Sequence, residues 1–202
     1  MNTYINLSNY NFNFKKKEIF KNINFVLKKN DRIGICGING SGKSTFLRIL
    51  ASIYDDNFLS SNVKICPIIS ASMGLLDSLT VKENIKRLTY LMNVKSVDKK
   101  KLNEILIKFD LQDKLNNKVY FLSSGFKIRI FFVIFFINHF DIVFLDEFVN
   151  LGDQNFQQLI RNKFTNKLKL TTLVMASHDI SLLRKYCTKI YQIKNLNLEL
   201  VQ

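Results

Sequence analysis

The segment GINGSGKST (37–45) has the residue types and the spacing that bind phosphate groups. It fits the pattern G-x-x-x-x-G-K-[ST], in which glycines let consecutive backbone N–H groups turn towards one anion. Lys43 adds a full positive charge, and the Ser44 hydroxyl is a ligand suited to Mg²⁺. An apolar stretch before the segment and a helical pattern after it argue against a chance glycine turn. We therefore predict a nucleoside triphosphate site, with the phosphates surrounded by Gly37, Asn39, Gly40, Ser41, Gly42, Lys43, Ser44 and Thr45.

A pair of acidic residues follows an apolar run about 100 residues further along the chain. The run IVFLDE ends in Asp146 and Glu147, at the carboxyl end of a predicted buried strand, where α/β sheets bind ligands. We expect Asp146 to hold Mg²⁺ through water, opposite Ser44, and Glu147 to polarise the attacking water. His178 ends the next strand within ASHD and is expected to bond the γ-phosphate and tie it to Glu147. The alternatives are an exposed strand-end acid pair and a structural histidine.

The sequence LSSGF precedes a strongly apolar helical stretch and places no acid in its first turn. Ser123, Ser124 and Gly125 would offer hydroxyl and N–H donors at the positive end of that helix. Lys127 and Arg129 would add charge, which is unfavourable for folding by about 0.3–1 kcal/mol each but favourable for an anion. We expect a second phosphate-binding element, which completes the site of a nucleotide held by another copy of the chain. A plain serine N-cap is the alternative.

Composition limits the protein class. The chain has 202 residues, of which 47% are hydrophobic and 23% charged, as in one globular domain. Its longest apolar run, 130–137, is far short of the roughly 20 residues that span a membrane, and the N-terminus has no secretory pattern. Three widely spaced cysteines predict reduced, buried thiols and a cytosolic location. The net charge of +14 is dispersed, so we expect no specific nucleic-acid surface.

Apolar periodicity predicts strands that alternate with helices, as in a mainly parallel α/β sheet. Strands are predicted at 19–28, 32–36, 63–69, 141–146, 171–177 and 189–193, and helices at 43–53, 80–92, 101–110, 125–139 and 153–168, with a further helix before the last strand. Thr80 and Glu83 form a capping-box pattern at the start of the second helix. The mostly helical stretch of about 75–139 is expected to be a subdomain inserted into a core of 1–70 and 140–202.

The order GINGSGKST, LSSGF, IVFLDE, SHD resembles the ATP-binding cassette (ABC) ATPases over nearly the whole chain. The form FLSSGFKIRI is similar to the Y-S-S-G-M-x-x-R-[LIV] variant of the subgroup that exports capsular polysaccharide, lipopolysaccharide O-antigen and teichoic acid. That subgroup also carries D-E-x-x-x-x-G-D-x-x-F, and DEFVNLGDQNF keeps Gly152, Asp153 and Phe156 in register. SLTVKEN further resembles its S-L-T-G-x-E-N.

The resemblance implies an α/β fold: a P-loop NTPase with a RecA-like parallel sheet core, an N-terminal antiparallel β portion and the inserted helical subdomain, together one ABC ATPase domain over 1–202. It implies a homodimer that encloses two ATP molecules with Mg²⁺ between phosphate loop and LSSGF segment. It also implies two integral-membrane permease subunits, docked near 70–92, and a peripheral position on the cytoplasmic face of the inner membrane. Tyr10 is the expected adenine-stacking residue, with Phe12 and Phe14 as rivals, and Asp153 is expected to signal across the dimer.

The function implied is ATP hydrolysis that drives export of a lipid-linked cell-surface polysaccharide. The chain ends at Gln202 with no sugar-binding module, which favours the capsule type. The alternatives are the ATPase of another ABC transporter, a cytosolic cassette that acts on nucleic acid, and a non-hydrolysing cassette. The sequence departs from most cassettes in two ways. No glutamine occurs before Gln112, so Ser70 or Ser72 is considered for the Mg²⁺-ligand role, and Phe126 replaces the glutamine of the usual L-S-G-G-Q.

Overall fold

The computed structural model describes residues 3–54, 58–60, 62–69, 74–92, 97–147, 156 and 171–202. The chain divides into two compact units. The first comprises Met1–Ser70, Phe140–Phe148 and Asn166–Gln202, and the second comprises Ala71–His139 and Val149–Thr165. Within the described ranges, no helix is both long enough and apolar enough to cross a membrane.

The strands are β1 (Thr3–Phe14), β2 (Lys17–Lys28), β3 (Arg32–Cys36), β4 (Ile65–Ile69), β5 (Ile142–Asp146), β6 (Thr172–Ala176), β7 (Lys189–Lys194) and β8 (Asn197–Leu200). The helices are α1 (Lys43–Leu50), α2 (Val81–Leu91), α3 (Lys99–Lys108), α4 (Ser124–Ile137) and α5 (Ile180–Tyr186), with 3-10 turns at Gln112–Lys114 and Val119–Phe121.

The first unit contains two sheets. Strands β1 and β2 pair antiparallel, and their inward residues, among them Ile5, Phe20 and Phe25, are buried. The other described strands form a sheet in the order β4-β5-β6-β3-β7-β8, parallel except for β8. Strands β3, β5 and β6 are buried along almost their whole length, as expected of parallel strands covered on both faces. This arrangement confirms the α/β class and the antiparallel N-terminal portion.

The sheet order determines where the predicted site residues meet. Strand β3 lies between β6 and β7, and β5 lies on the other side of β6, all parallel. The carboxyl ends of β3, β5 and β6 therefore lie at one edge of the sheet. The phosphate loop follows β3. Asp146 is the last residue of β5 and Glu147 follows it, and His178 lies two residues after the end of β6.

The second unit is built around α4. Its residues Ile128–Phe135 are all buried, so this helix is apolar all round rather than on one face. Aromatic rings surround it: Phe156 lies 5.4 Å from Phe109 and 5.7 Å from Phe132 between ring centroids. The apolar run 130–137 thus lies within the core helix of this unit and is buried as far as Phe135.

Several boundaries differ from the predicted ones for local reasons. Strand β4 begins at Ile65 rather than 63, and α3 begins at Lys99 rather than 101. The Asp98 side chain accepts hydrogen bonds from the N–H groups of Lys100 and Lys101, and this cap sets the earlier helix start. Strands β1 and β8 were not predicted from the periodicity. The helix predicted at 153–168 lies outside the described residues except for Phe156.

The predicted capping box at the start of α2 is confirmed. Thr80 Oγ1 accepts a hydrogen bond from the N–H of Glu83 at 3.2 Å, and Glu83 Oε2 accepts one from the N–H of Thr80 at 2.8 Å. The backbone and hydroxyl donors of Thr80 lower the pKa of the Glu83 carboxyl. Helix α2 therefore has a start fixed by its own local sequence.

We predict that Thr80→Ala lowers the free energy of unfolding by about 1 kcal/mol at neutral pH, because it removes the cap. A carboxyl with a lowered folded-state pKa stabilises the protein above its ordinary pKa, about 4.3, and this contribution is lost as the pH falls through the lowered value. Urea unfolding should therefore show the stability difference between wild type and Glu83→Gln shrinking on acidification. Thr89→Ala, within the same helix, is the control and should not destabilise. Equal effects of both threonine substitutions would contradict the cap.

Candidate functional site

The phosphate loop of the first unit requires glycine at two positions. Gly42 is the N-cap of α1 with φ 103°, in the left-handed region, and a Cβ there would lie 3.0 Å from Cζ of Phe20. At Gly37, a Cβ would lie 2.6 Å from Oγ of Ser41. The loop thus combines a conformation and a packing density that side chains would disrupt. Asn39 and the neighbouring Gly40 lie exposed at its tip.

Helix α1 begins with its donors open to an anion. Its N-cap makes no side-chain hydrogen bond, and its first turn contains no acidic residue. The Lys43 side chain is only 5% exposed, and its Nζ donates to the carbonyls of Gly37 at 3.0 Å and Ile38 at 3.1 Å. The loop therefore holds its ammonium group inside the curve where a phosphate would sit. Ser44 and Thr45 are half-buried in the first turn.

Asp146 ends β5 in register with Ala176 of β6. Its Oδ1 atom is buried and has no hydrogen-bond partner among the described residues. A buried carboxylate oxygen without a partner is costly, so it is suited to a cation or a bound water. This oxygen is a suitable ligand for Mg²⁺. That ion takes few protein ligands, and water and substrate phosphates complete its coordination. The described residues contain no group of three or more His, Cys, Asp or Glu that could hold a metal without such help.

Glu147 occupies a strained backbone conformation. Its φ is 51°, in the left-handed region, which costs a non-glycine residue about 1 kcal/mol or more. Its N–H donates to the carbonyl of Ala176 at 3.0 Å, so the neighbouring strand holds the turn in place. The side chain is 53% exposed at the carboxyl edge of the sheet. Strain of this kind is frequent where a side chain must be aimed at a ligand.

His178 lies beside Glu147 but is not bonded to it. Its Nδ1 is 3.8 Å from Glu147 Oε1, beyond hydrogen-bond distance, and the side chain is 69% exposed. The predicted neighbourhood of these two residues is therefore present in the structure.

Ser177 was not singled out in the sequence, yet it fixes the turn that carries His178. It is buried, its N–H donates to the carbonyl of Ile35 at 3.1 Å, and its Oγ accepts from the N–H of Asp179 at 3.0 Å. These bonds tie the His178 turn to β3, the strand that leads into the phosphate loop. The available signal was the serine of ASHD, a small hydroxyl residue between a strand and a helix cap.

The three aromatic residues of β1 that are candidates for adenine stacking differ in exposure and in the rings that they contact. Tyr10 is half-buried with its ring edge-on to Phe58 at 5.7 Å, and Phe12 packs on Tyr54 at 5.1 Å. Phe14, next to the hairpin turn, is 51% exposed. The assignment of Tyr10 to adenine stacking stays a prediction.

In the second unit, the LSSGF segment presents its serines to solvent. Ser123 is the N-cap of α4 by backbone conformation, but its side chain makes no capping hydrogen bond, so the plain serine-cap alternative is wrong. Ser123 and Ser124 are exposed, and neither hydroxyl bonds to a described residue. Both hydroxyls and the first N–H groups of α4 are therefore available to a ligand from outside this unit.

The positive residues that follow the serines have other partners. Lys127 Nζ donates to Asp77 Oδ1 at 2.7 Å, and Arg129 Nη1 donates to Asp110 Oδ2 at 2.6 Å. The expectation that both charges serve an incoming anion is wrong, because each is paired with a carboxylate of its own unit. Of the other predictions, Asp153, Ser70 and Ser72 lie outside the described residues.

The family model described as ABC transporter matches residues 20–150. The chain belongs to the ABC transporter family. It is an ATPase cassette of that family: it binds ATP and hydrolyses it. The recognition made from the residue motifs, and the P-loop fold expected from it, are confirmed.

Among its curated relatives, this ABC ATPase is 32% identical to the O-antigen export system ATP-binding protein RfbE of Yersinia enterocolitica, over 86% of this chain and 74% of that one. It is 29% identical to the ATP-binding protein BexA of Haemophilus influenzae, over 92% and 86%. It is 31% identical to the teichoic acids export ATP-binding protein TagH of Bacillus cereus, over 87% of this chain but only 34% of that protein.

Solved structures support the same fold. The structure of the ATP-binding subunit of an ABC transporter superposes with a TM-score of 0.77 at 16% identity, over 97% of this chain and 88% of that one. A dimeric bacterial ABC transporter cassette superposes with a TM-score of 0.74 at 21% identity, over 98% and 97%. At these identities the likeness shows the fold alone.

We predict that Lys43→Ala weakens ATP binding by about 10- to 100-fold, because a hydrogen bond to a charged group contributes about 1.5–3 kcal/mol. Titration of the purified protein with a fluorescent ATP analogue measures the change. Lys28→Ala, at an exposed strand end, is the matched control and should bind as wild type does. Unchanged affinity of a folded Lys43→Ala protein would remove Lys43 from the phosphate site.

Proposed function

We propose that this ABC ATPase powers an exporter of a cell-surface polysaccharide and that two copies close on two ATP molecules to do so. The observation that carries the proposal is the exposed pair of serines at the open start of α4. Donor groups that no described residue satisfies are suited to a ligand from elsewhere, and the phosphate loop of the first unit supplies only one side of a nucleotide site. The other side would come from a second copy.

Each group at the sheet edge has a proposed role. The phosphate-loop residues, from Gly37 to Thr45, surround the phosphates, and Lys43 exchanges its two loop carbonyls for phosphate oxygens. Ser44 and Asp146 would hold Mg²⁺, which neutralises charge on the phosphates when bound. Glu147 polarises the attacking water, and His178 bonds the γ-phosphate.

The serines are proposed to complete the site only when two copies meet. Ser123, Ser124 and Gly125 of one copy would donate hydrogen bonds to the γ-phosphate held by the other. Because ADP lacks that phosphate, ATP and ADP bind the closed pair with different affinity, and this difference is what can move an equilibrium. Closure on ATP and opening after hydrolysis would move a pair of permease subunits. We propose that those subunits dock near 70–92, that Asp153 signals across the dimer, and that Tyr10 stacks on adenine.

The class of cargo rests on two supports. The names of RfbE and TagH specify export of O-antigen and of teichoic acids, both surface polymers. The chain also carries the Ser-Ser-Gly form of the signature with Arg129 and, further on, Phe156. Within the class, the capsule type is our sequence-based preference. A peripheral position on the cytoplasmic face of the inner membrane follows from this role.

We predict that Glu147→Gln binds ATP but accumulates as a dimer. The variant retains the phosphate loop and the serines of the LSSGF segment, and it loses the group that activates water. Sedimentation velocity with and without ATP measures the association. Adding Ser124→Arg in the Glu147→Gln background should abolish the ATP-driven dimer and leave monomer affinity unchanged. Asn103→Arg, an exposed residue of α3 in the same unit, is the control of equal charge. A dimer that survives Ser124→Arg would refute the two-copy site.

The export role predicts a specific defect in cells. Replacing the gene with its Glu147→Gln form should lower surface polysaccharide and leave lipid-linked polymer inside, since transport needs ATP turnover. Capsular polysaccharide, O-antigen and teichoic acid are assayed separately on the cell surface, so the defect identifies the cargo. A wild-type copy supplied in trans is the control. Normal amounts of all three polymers would contradict the proposal.

A further inference from the structure

Arg129 differs from the other cation in the first two turns of α4. Lys127 forms an ion pair at the surface, with side-chain exposures of 28% for Lys127 and 55% for Asp77. Arg129 instead enters the interior of the second unit and is 7% exposed. Surface pairs contribute little, whereas a buried cation must be matched by partners, so Arg129 marks a contact on which this unit depends.

The first set of partners is the carboxyl end of α3. That helix is followed by Phe109 as its C-cap and by Asp110 with φ 53°. Arg129 Nη1 donates to the carbonyl of Phe109 at 3.1 Å and to Asp110 Oδ2 at 2.6 Å. The last carbonyls of a helix lack partners within it and carry partial negative charge. The guanidinium of Arg129 therefore caps α3 from across the unit.

The second set of partners is a pair of aromatic rings. The guanidinium carbon lies 4.7 Å from the centroid of Phe126 and 4.9 Å from that of Phe156. A planar guanidinium can stack on rings while its edge donates hydrogen bonds, which an ammonium group cannot do equally well. Phe126 is where the chain departs from the usual signature glutamine, and Phe156 belongs to the G-D-x-x-F pattern. The residue that departs from the usual signature and the aromatic residue of the G-D-x-x-F pattern thus contact the same guanidinium group.

We propose that Arg129 is a positioning residue for Ser123, Ser124 and Gly125. It joins the beginning of α4 to the end of α3 and to Phe156, three residues beyond Asp153. The inference rests on the proposed function, in which the serines cap the γ-phosphate of the partner's nucleotide. Phe126 replaces a polar signature residue because its ring covers the cation that holds the helix start.

Arg129→Lys is expected to impair ATP-driven association of two copies and ATP turnover, and to leave ATP binding at the phosphate loop unchanged. Lysine keeps the charge but loses the forked donors and the stacking plane. Affinity of the monomer for ATP should stay within about twofold, since the phosphate loop belongs to the first unit. The kcat for ATP should fall about tenfold or more with KM little changed, because a misplacement of about 1 Å at a reacting group can cost 10²-fold. ATP-driven association in the Glu147→Gln background should weaken in parallel.

Phe156 offers a test that separates stacking from simple packing. Phe156→Leu keeps an apolar side chain but removes the ring face, and it should reproduce the loss of kcat. Phe156→Tyr keeps the ring and should restore turnover towards wild type. Lys127→Met, which removes the neighbouring cation, is the control and should leave kcat unchanged. Asp110→Asn changes an exposed carboxylate and is a milder variant for use if Arg129→Lys folds poorly. It is expected to lower kcat as well, by a smaller factor.

The outcomes distinguish this inference from the function on which it rests. All variants are measured well below their melting temperatures, so a purely structural role would lower the melting temperature and leave kcat unchanged. Suppose that Ser124→Arg blocks the dimer, while Arg129→Lys and Phe156→Leu keep the kcat of wild type and the ATP-driven association of the Glu147→Gln background. The positioning role is then overturned and the proposed function stands. If the dimer survives Ser124→Arg, the proposed function itself fails.

Discussion

The parallel arrangement of β3, β5 and β6 is the constraint on which the site depends. Parallel neighbours place their carboxyl ends at one edge, so three segments distant in sequence arrive together. Each strand leads into a different set of groups: a loop of N–H donors with a lysine, two carboxylates, and a histidine. The strands themselves are almost fully buried, which gives the reactive groups a rigid support. Binding geometry is thus set by the core and the chemistry by the residues just beyond it.

The site is stabilised less well than the core that supports it. Asp146 retains a buried oxygen without a described partner, Ser41 Oγ is in the same state, and Glu147 has a strained backbone. Each feature costs free energy in the absence of a ligand. A nucleotide with its cation offers the missing partners, which is the physical sense in which the first unit is prepared for ATP.

The second unit shows the complementary arrangement. Its central helix is buried along Ile128–Phe135, whereas the serines at its beginning are exposed. The charges next to those serines are already paired, so in the proposed two-copy site the attraction of a phosphate would depend on hydroxyl and N–H donors and on the helix dipole rather than on free cations. Such a site would be short-ranged and would respond to the position of the helix start more than to ionic strength.

The sequence by itself determined the features whose causes are local. The phosphate loop needs its glycines and lysine in consecutive positions, the capping box needs Thr80 and Glu83 three residues apart, and the buried strands need only apolar runs. These patterns predicted most of the parallel sheet and most of the described helices. The tertiary structure alone decided which groups meet across long separations. Strand β1, with polar asparagines along it, is a strand because β2 pairs with it, and Ser177 matters because Ile35 lies beside it. The partners of Arg129 lie on other segments of the chain, and no periodicity encodes them. A local pattern carries its own energy, whereas a long-range contact exists only once the backbone has brought its members together.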